Sequence, residues 1–341
     1  MPEERKKRAP RNRTLSLTDG EKASLAKQIL HPSAKKLSLP EITDRVIRGT
    51  VPGVLEQLPD SFVDLLFLDP PYNLPKNFNG FRFSAGGQED YLRYLESWFP
   101  SLLRLLKPDA SIYLCGDWRS SGACVSILSR YLRLRNRITW QREKGRGSSR
   151  NWKNACEDIW FATVSDHYCF HADAVRQRRR VLAPYRRNGQ PKDWEDTPAG
   201  RFRDTCASNF WDDISVPYWS MPENTDHPTQ KPEKLLAKLI LSGTEHGGFV
   251  LDPFLGSGTS AVVARKLGRR FCGIEQNGEY CLWALARLAR AETDPVIQGY
   301  ADHVFWERNT LAEQTRTLRS GRCGEKKRTD AGEAPSVEKT F

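Results

Sequence analysis

Four consecutive residues, Asp69, Pro70, Pro71 and Tyr72, carry the clearest chemistry in this sequence. The two prolines lock the backbone and lack N–H donors, so the segment presents the Asp69 carboxylate and backbone carbonyls as acceptors. Such a site suits the weakly nucleophilic amino group of a base such as adenine, because acceptors that hold its hydrogens favour a pyramidal nitrogen in the transition state. Tyr72 could stack on a base flipped out of a duplex. The alternative is a rigid structural turn at the end of a strand.

A glycine-bearing segment with the sequence Asp-Pro-Phe-Leu-Gly-Ser-Gly follows much later, at residues 252–258. Glycines between a strand and a helix let the backbone approach a ligand closely. Glu275 follows Asp252 at about the 20-residue offset at which an acid accepts ribose hydroxyls. Because the full spacing of a dinucleotide loop is missing, these features together favour a different adenosine-containing cofactor. Alone, the turn could equally be a structural strand–helix connection.

Both segments follow short apolar runs that predict buried strands. Residues 63–68 lead to Asp69 and residues 249–251 lead to Asp252. Each run is typical of a strand that is covered on both faces of a parallel sheet. Because ligands bind beyond the carboxyl ends of the strands in such sheets, we expect both segments to face one crevice.

The alternation of strand and helix patterns along the chain predicts an α/β fold with a doubly wound, mostly parallel sheet. Further strands are expected at 44–48, 111–114, 134–140, 158–163 and 271–274, and helices at 51–57, 88–106, 121–132, 232–241 and 259–267. From 166 to 222 the chain is polar, basic and turn-rich, which indicates an inserted functional lobe of irregular chain. The predicted organisation is a basic flexible arm (1–38), a half-domain with the Asp69 segment (39–165), the insertion (166–222), a second half-domain with the glycine turn (223–309) and a flexible tail (310–341).

The charge of the chain is strongly basic. Its 341 residues include 53 Lys and Arg against 42 Asp and Glu, a net charge of +11. The basic residues are clustered and interspersed with aromatic residues, which favours a nucleic-acid partner over the alternative of a solvated charged face. The candidate DNA contacts are Arg178, Arg179, Arg180, Arg186 and Arg187.

Cysteine usage and hydropathy bear on the cellular compartment. Eight cysteines without a C-x-x-C pair are typical of a protein from the reducing cytoplasm. Cys156, His167, Cys169 and His171 match no familiar zinc spacing, so no metal is expected. No run approaches the roughly 18 apolar residues of a membrane helix, and the basic amino terminus lacks the apolar stretch of a secretory signal. We therefore expect a cytoplasmic protein without a membrane partner.

Three motifs in their order along the chain resemble the β-group of amino-methylating DNA methyltransferases. The Asp69 segment matches the catalytic tetrapeptide of that family, and residues 252–258 match its cofactor loop. Residues 227–232, His-Pro-Thr-Gln-Lys-Pro, match the segment that precedes the loop and helps to hold the methionine part of S-adenosylmethionine in relatives. The resemblance covers about residues 42–290. It implies a Rossmann-like methyltransferase fold, a target-recognition region at 166–222, and a cofactor held by Asp252, Phe254, Gly256, Gly258, Thr259, Glu275, Thr229, Gln230 and Lys231.

The resemblance also implies the reaction and its target. Family members with Asp in the first motif position more often methylate adenine N6, and those with Ser more often methylate cytosine N4, so adenine is favoured and cytosine N4 is the alternative. The methyl group would pass directly to a flipped base, without a covalent enzyme intermediate. Cytosine-C5 chemistry is set aside because it needs a nucleophilic cysteine, usually after a proline, and no cysteine here follows one. Protein glutamine methylation uses a related tetrapeptide with Asn in the first position, so Asp69 and the basic lobe both argue against that class.

Two further alternatives stay open at the level of the sequence. An RNA substrate has the same phosphate charge as DNA, so charge does not distinguish them. A DNA-binding specificity module with an inactive methyltransferase core is the other. The expected partner is double-stranded DNA. A homodimer and a cognate restriction endonuclease that shares the target sequence are consistent with the resemblance, as is a prokaryotic or phage-encoded, nucleoid-associated protein.

Overall fold

A computed structural model describes residues 9–32, 35–73, 76–78, 81–83, 86–142, 149–197, 200–308 and 311–312. The basic cluster at residues 5–8 and almost all of the predicted tail at 310–341 lie outside the described residues.

The strands are β1 (Arg45–Arg48), β2 (Val63–Leu68), β3 (Lys76–Phe78), β4 (Phe81–Phe83), β5 (Leu106–Gly116), β6 (Arg133–Gln141), β7 (Cys156–Thr163), β8 (Gln177–Arg180), β9 (Arg186–Arg187), β10 (Gln190–Pro191), β11 (Glu195–Thr197), β12 (Gly200–Thr205), β13 (Phe210–Trp211), β14 (Phe249–Asp252), β15 (Arg270–Glu275), β16 (Tyr300–Ala301) and β17 (Val304–Trp306). The helices are α1 (Asp19–Ala26), α2 (Leu39–Ile42), α3 (Val51–Leu55), α4 (Gln88–Glu96), α5 (Phe99–Leu103), α6 (Ser121–Tyr131), α7 (Glu233–Gly243), α8 (Thr259–Lys266) and α9 (Gly278–Thr293), with a 3-10 helix at Ala172–Val175.

An eight-stranded sheet forms the centre of the fold, in the order β1-β15-β14-β2-β5-β7-β6-β13. All its neighbouring pairs are parallel except β5 with β7 and β6 with β7. Side chains of β2 alternate between two hydrophobic clusters: Leu65 and Phe67 pack with α7, α8 and α9, whereas Leu66 and Leu68 pack with α3 to α6. Helices thus cover both faces, which confirms the predicted doubly wound, mostly parallel α/β fold.

The predicted helix at 88–106 is shorter and interrupted. It forms two helices, α4 and α5, and Leu106 already begins β5. Pro100 lies in the first turn of α5, where its missing N–H has no intrahelical acceptor, so the proline starts a new helix. Apolar residues at helical spacing continue across both segments, so the sequence pattern predicted one helix instead of two.

The insertion at 166–222 contains short strands where the sequence indicated irregular chain. A second sheet has the order β11-β12-β8-β17-β16. Two of its strands, β16 and β17, come from residues 300–306. β17 pairs with β8 in parallel, and β16 pairs with β17. The lobe is therefore completed by residues from the end of the second half-domain (223–309).

The structure also differs from the expectation of a flexible arm at 1–38. Leu15 is buried against Tyr280 and Trp283 of α9, and its N–H donates to the Asn224 carbonyl over 2.9 Å. Thr18 caps α1 in a reciprocal capping box with Glu21. The described part of the arm is held to the domain by a small apolar cluster that shows no regular periodicity in the sequence.

Candidate active site

One cavity of about 300 Å³ opens at the carboxyl ends of β1, β2, β14 and β15. Asp69 and Tyr72 line one part of it, and Phe254, Gly256 and Glu275 line another. The two sequence segments therefore face one crevice, as the strand pattern predicts. A reacting group held at one segment lies in the same space as a ligand held at the other.

Tight contacts surround the carboxylate of Asp69. The Lys231 ammonium donates to Asp69 Oδ2 over 2.6 Å, and the Tyr72 hydroxyl donates to Asp69 Oδ1 over 3.0 Å. The Tyr91 hydroxyl donates to the Pro71 carbonyl over 3.1 Å and so anchors the proline turn on α4. The segment is a rigid acceptor site, and both oxygens of Asp69 already accept hydrogen bonds.

Glu157 completes this cluster, although sequence reasoning did not single it out. Its Oε2 lies 3.1 Å from the Tyr72 hydroxyl and 3.5 Å from the Lys231 ammonium, and its Oε1 pairs with Arg142. Glu157 is 5% exposed on β7. A charged residue at a buried position of a strand was the available signal, but only the antiparallel pairing of β7 with β5 brings it to Tyr72, in the segment that follows β2.

Electrostatics define the protonation states of two members of the cluster. Burial alone would lower the pKa of Lys231, but the carboxylates of Asp69 and Glu157 outweigh it and raise the pKa above its ordinary value. Burial, and then the charges of Asp69 and Glu157, raise the pKa of Tyr72 well above its ordinary value. At neutral pH Lys231 is an ammonium ion and Tyr72 is a hydroxyl with one proton to donate.

The glycine turn is shaped by two carboxylates. Asp252 is buried, and it accepts from the Phe254 N–H over 2.9 Å and from the Ser260 hydroxyl over 2.5 Å. Burial raises the pKa of Asp252 to about 7. Glu275 accepts from the Gly256 N–H over 2.9 Å and from the Asn277 N–H over 2.7 Å. The turn thus presents its backbone to the cavity with Glu275 beside it.

The nine predicted cofactor residues fall into two groups. Those that line the cavity are Phe254, Gly256, Glu275, Thr229 and Lys231, and those that do not line it are Asp252, Gly258, Thr259 and Gln230. Gln230 accepts from the Thr225 hydroxyl over 2.7 Å and so braces its own loop. Lys231 reaches the Asp69 end of the cavity. Lining residues that sequence reasoning did not single out as site residues include Thr50, Trp98, His227, Asn277 and Tyr280.

Gly258 is required by both conformation and space. Its φ is +86°, in the left-handed region, and an added Cβ would lie 2.8 Å from the Cα of Ala284 in α9. We predict that Gly258→Ala lowers the free energy of unfolding by at least about 2 kcal/mol and weakens ligand binding at the turn. Thermal denaturation with and without ligand measures both effects. Gly247→Ala is the matched control, with φ of +79° but open space at its Cβ. Equal losses in the two variants would contradict the role of the α9 contact.

The predicted DNA-contacting arginines have different environments. Arg178 forms a two-point ion pair with Asp204, with both distances 2.7 Å, inside the second sheet. Arg179 contacts Gln177, and the guanidinium of Arg186 lies over the ring of Trp194. Arg180 and Arg187 are exposed. Contact with DNA stays a prediction for all five, and Arg178 in addition holds β8 to β12.

Potential metal ligands assemble differently from the set considered in the sequence. Among the described residues, Cys169, His171 and Glu245 bring their ligand atoms together, and Cys156 and His167 are not part of this group. The expectation that the reaction needs no metal stays a prediction.

No helix within the described ranges is long and apolar enough to cross a membrane.

Comparison with known proteins defines the family. Residues 63–286 match the family model described as DNA methylase, of the N6/N4 class. The chain is 33% identical over 251 residues to the DNA adenine methyltransferase YhdJ of Escherichia coli (strain K12), covering 71% of this chain and 82% of the relative. It is 32% identical over 247 residues to the type II methyltransferase M.HpaI of Haemophilus parainfluenzae, covering 72% and 74%. The chain belongs to the N6/N4 DNA methylase family.

The chain is therefore an S-adenosylmethionine-dependent DNA methyltransferase of the N6/N4 class. Among solved structures, the PvuII DNA methyltransferase, which is cytosine-N4-specific, has a similar fold. The TM-score is 0.52 at 15% identity, covering 85% of this chain and 94% of that one. The similarity extends the Rossmann-like methyltransferase fold over most of the chain.

Proposed function

We propose that this enzyme transfers a methyl group from S-adenosylmethionine to the N6 amino group of adenine in duplex DNA. One observation carries the proposal: the Asp69 carboxylate and the glycine turn with Glu275 line a single cavity. Asp in the first position of the tetrapeptide and the similarity to YhdJ, a relative named as an adenine methyltransferase, support adenine as the target. To reach this cavity, the target base would flip out of the DNA duplex.

The residues present fit S-adenosylmethionine. Bound there, the cofactor supplies an electrophilic methyl group. Gly256, with φ of +54°, brings the backbone of the turn to the cavity. Glu275 would accept ribose hydroxyls. The rings of Phe254 and Trp98, whose centroids are 5.0 Å apart, give apolar surface for the rest of the nucleoside.

The chain's own contribution to the chemistry lies at Asp69. Its carboxylate and the Pro70 carbonyl would accept the amino hydrogens of the target base, and these bonds strengthen as the nitrogen becomes pyramidal and positive. Tyr72 would stack on the base and hold it in line for direct transfer. The amino nitrogen would gain one bond to carbon and give up one proton, for which Asp69 would be the acceptor.

Cytosine N4 is the second candidate target, because its exocyclic amino group offers the same hydrogens to Asp69. The fold shared with a cytosine-N4-specific enzyme makes it the natural comparison. An inactive DNA-binding specificity module is the third candidate. The buried ammonium–carboxylate contact between Lys231 and Asp69 weighs against it, because phosphate binding alone needs no such cluster.

We infer that different regions of the chain carry out catalysis, cofactor binding and target recognition. Residues 39–165 and 223–309 form the catalytic and cofactor-binding halves, and 166–222 form the target-recognition region between the flanking segments 1–38 and 310–341. A homodimer, a cognate restriction endonuclease and a cytoplasmic, nucleoid-associated setting in a prokaryote or phage are part of this proposal.

The proposed recognition region predicts different effects for two of its arginines. Arg187→Ala is expected to weaken DNA binding severalfold at every sequence and to reduce the salt dependence of binding by about one counterion. Arg178→Ala is expected chiefly to lower thermal stability, because it leaves Asp204 without its two-point partner. DNA-binding titrations at several salt concentrations, together with thermal denaturation, distinguish the two. Unchanged DNA binding by Arg187→Ala would remove it from the interface.

The function is tested by expressing the chain in a bacterial host that lacks its own DNA methyltransferases. Single-molecule sequencing of the host DNA is expected to show one recurrent sequence with a modified adenine. A modified cytosine instead would support the second candidate. Unmodified DNA with soluble, cofactor-binding protein would support the inactive module.

A further inference from the structure

The hydroxyl of Tyr72 lies between two carboxylates that compete for its single proton. Its oxygen is 3.0 Å from Asp69 Oδ1 and 3.1 Å from Glu157 Oε2. Both carboxylates are acceptors only, and a hydroxyl has one proton, so it donates to one of them at a time. Two nearly equal distances mean that a small rotation of the O–H bond transfers the hydrogen bond from one acceptor to the other.

This competition matters because the proposed reaction needs Asp69 as an acceptor. In the structure, Lys231 donates to Asp69 Oδ2 and Tyr72 donates to Oδ1. An incoming amino group must gain a strong hydrogen bond at one of these oxygens. If the Tyr72 proton had no other acceptor, its displacement would leave a buried donor without a partner, which is unfavourable.

Glu157 is held where it can accept that proton. Arg142 pairs with Oε1 of Glu157, which leaves Oε2 directed at Tyr72 and Lys231. The Lys231 ammonium also lies 3.1 Å from the Tyr72 oxygen and donates to it. Since Lys231 donates to this oxygen, the hydroxyl proton must point elsewhere, to Asp69 or to Glu157.

We propose that Glu157 is a positioning residue for methyl transfer: it takes over the hydrogen bond of the Tyr72 hydroxyl and so frees Asp69 Oδ1 for the amino group of the target base. The inference rests on the proposed function and holds for an amino group of either base. No covalent bond forms or breaks in this step. The hydroxyl proton stays on Tyr72 and changes only its acceptor.

The neighbouring residue of β7 offers a matched control. Successive side chains of a strand point to opposite faces, and Asp158 accepts from the Thr139 hydroxyl over 2.7 Å instead of contacting the Asp69 cluster. Asp158→Asn therefore removes a carboxylate one position away without touching Tyr72 or Lys231.

The test compares Glu157→Gln with Asp158→Asn in single-turnover methylation of DNA, with cofactor binding measured by calorimetry. Rates are expressed per cofactor-binding site, so that unfolded protein is not counted. Glu157→Gln is expected to lower the rate about 100-fold and to change the cofactor Kd by less than about twofold. Asp158→Asn is expected to keep the rate of the unsubstituted enzyme. An unchanged rate in Glu157→Gln would overturn the inference.

A double-mutant cycle with Tyr72→Phe separates the proposed exchange from a merely structural role. Phenylalanine keeps the ring and leaves Asp69 Oδ1 without the competing hydroxyl, so Glu157→Gln should then cost less than about threefold in rate. The same loss in both backgrounds would show a general effect of the buried charge and overturn the proposal. If the unsubstituted enzyme methylates DNA and the cycle shows no coupling, only this inference fails. If it binds cofactor but never methylates DNA, the proposed function fails with it.

Discussion

Asp69→Ala is expected to lower methyl transfer by at least about 1,000-fold while the Kd for S-adenosylmethionine changes by less than about threefold. The variant removes the carboxylate that would accept the amino hydrogens. The cofactor end of the cavity keeps its contacts, because Glu275 and the Gly256 N–H do not depend on Asp69. Lys231 retains Glu157 as a charged partner at 3.5 Å, which limits the damage to the cluster. Radiometric methylation and calorimetric binding of the cofactor measure the two quantities.

A surface aspartate near the same strand serves as the control for this experiment. Asp60 precedes β2 and pairs with Arg104 with its own side chain largely exposed. Asp60→Ala should leave both quantities unchanged, since exposed ion pairs contribute little. Loss of cofactor binding in Asp69→Ala would contradict the role given to Asp69 and would place it in the cofactor site.

Glu275→Ala is expected to have the opposite pattern. The Kd for S-adenosylmethionine should rise about 100-fold, with the maximal rate at saturating cofactor within a few-fold of the unsubstituted enzyme. Two causes add together: the acceptor proposed for the ribose hydroxyls is lost, and the N–H groups of Gly256 and Asn277 lose the carboxylate that orders the turn. Calorimetric binding gives the Kd, and cofactor titrations of the methylation rate give the maximal rate.

The matched control for this variant is Glu279, four residues further along the chain. Glu279 is in the first turn of α9 and is not among the residues that line the cavity. Glu279→Ala should keep the cofactor Kd close to that of the unsubstituted enzyme. A normal Kd with a large loss of maximal rate in Glu275→Ala would argue for a catalytic role and against ribose binding.

Local patterns were enough to predict the two ends of the cavity. The apolar runs at 63–68 and 249–251 form β2 and the start of β14, and the residues that follow each run reach the cavity. Signals of this kind lie within a few neighbouring residues, because a buried parallel strand and the turn after it are both encoded locally. Their convergence follows from the general topology of such sheets.

The contacts between distant segments could not be predicted in the same way. Lys231 was assigned to the cofactor by resemblance, and the structure brings its ammonium to Asp69. Glu157 reaches Tyr72 only because β7 runs antiparallel beside β5, and the sequence pattern does not encode that direction. The second sheet was missed for a related reason: β8 is paired by β17, from a segment more than a hundred residues later.

The central claim is that this cavity transfers the methyl group of S-adenosylmethionine to an adenine amino group. The most direct measurement incubates purified protein with methyl-tritiated S-adenosylmethionine and unmethylated genomic DNA, and then separates the nucleosides of the digested product. We predict label in N6-methyladenine and none after the same treatment with Asp69→Ala. Label in N4-methylcytosine would contradict the choice of base, and unlabelled DNA from protein that binds the cofactor would contradict the claim itself.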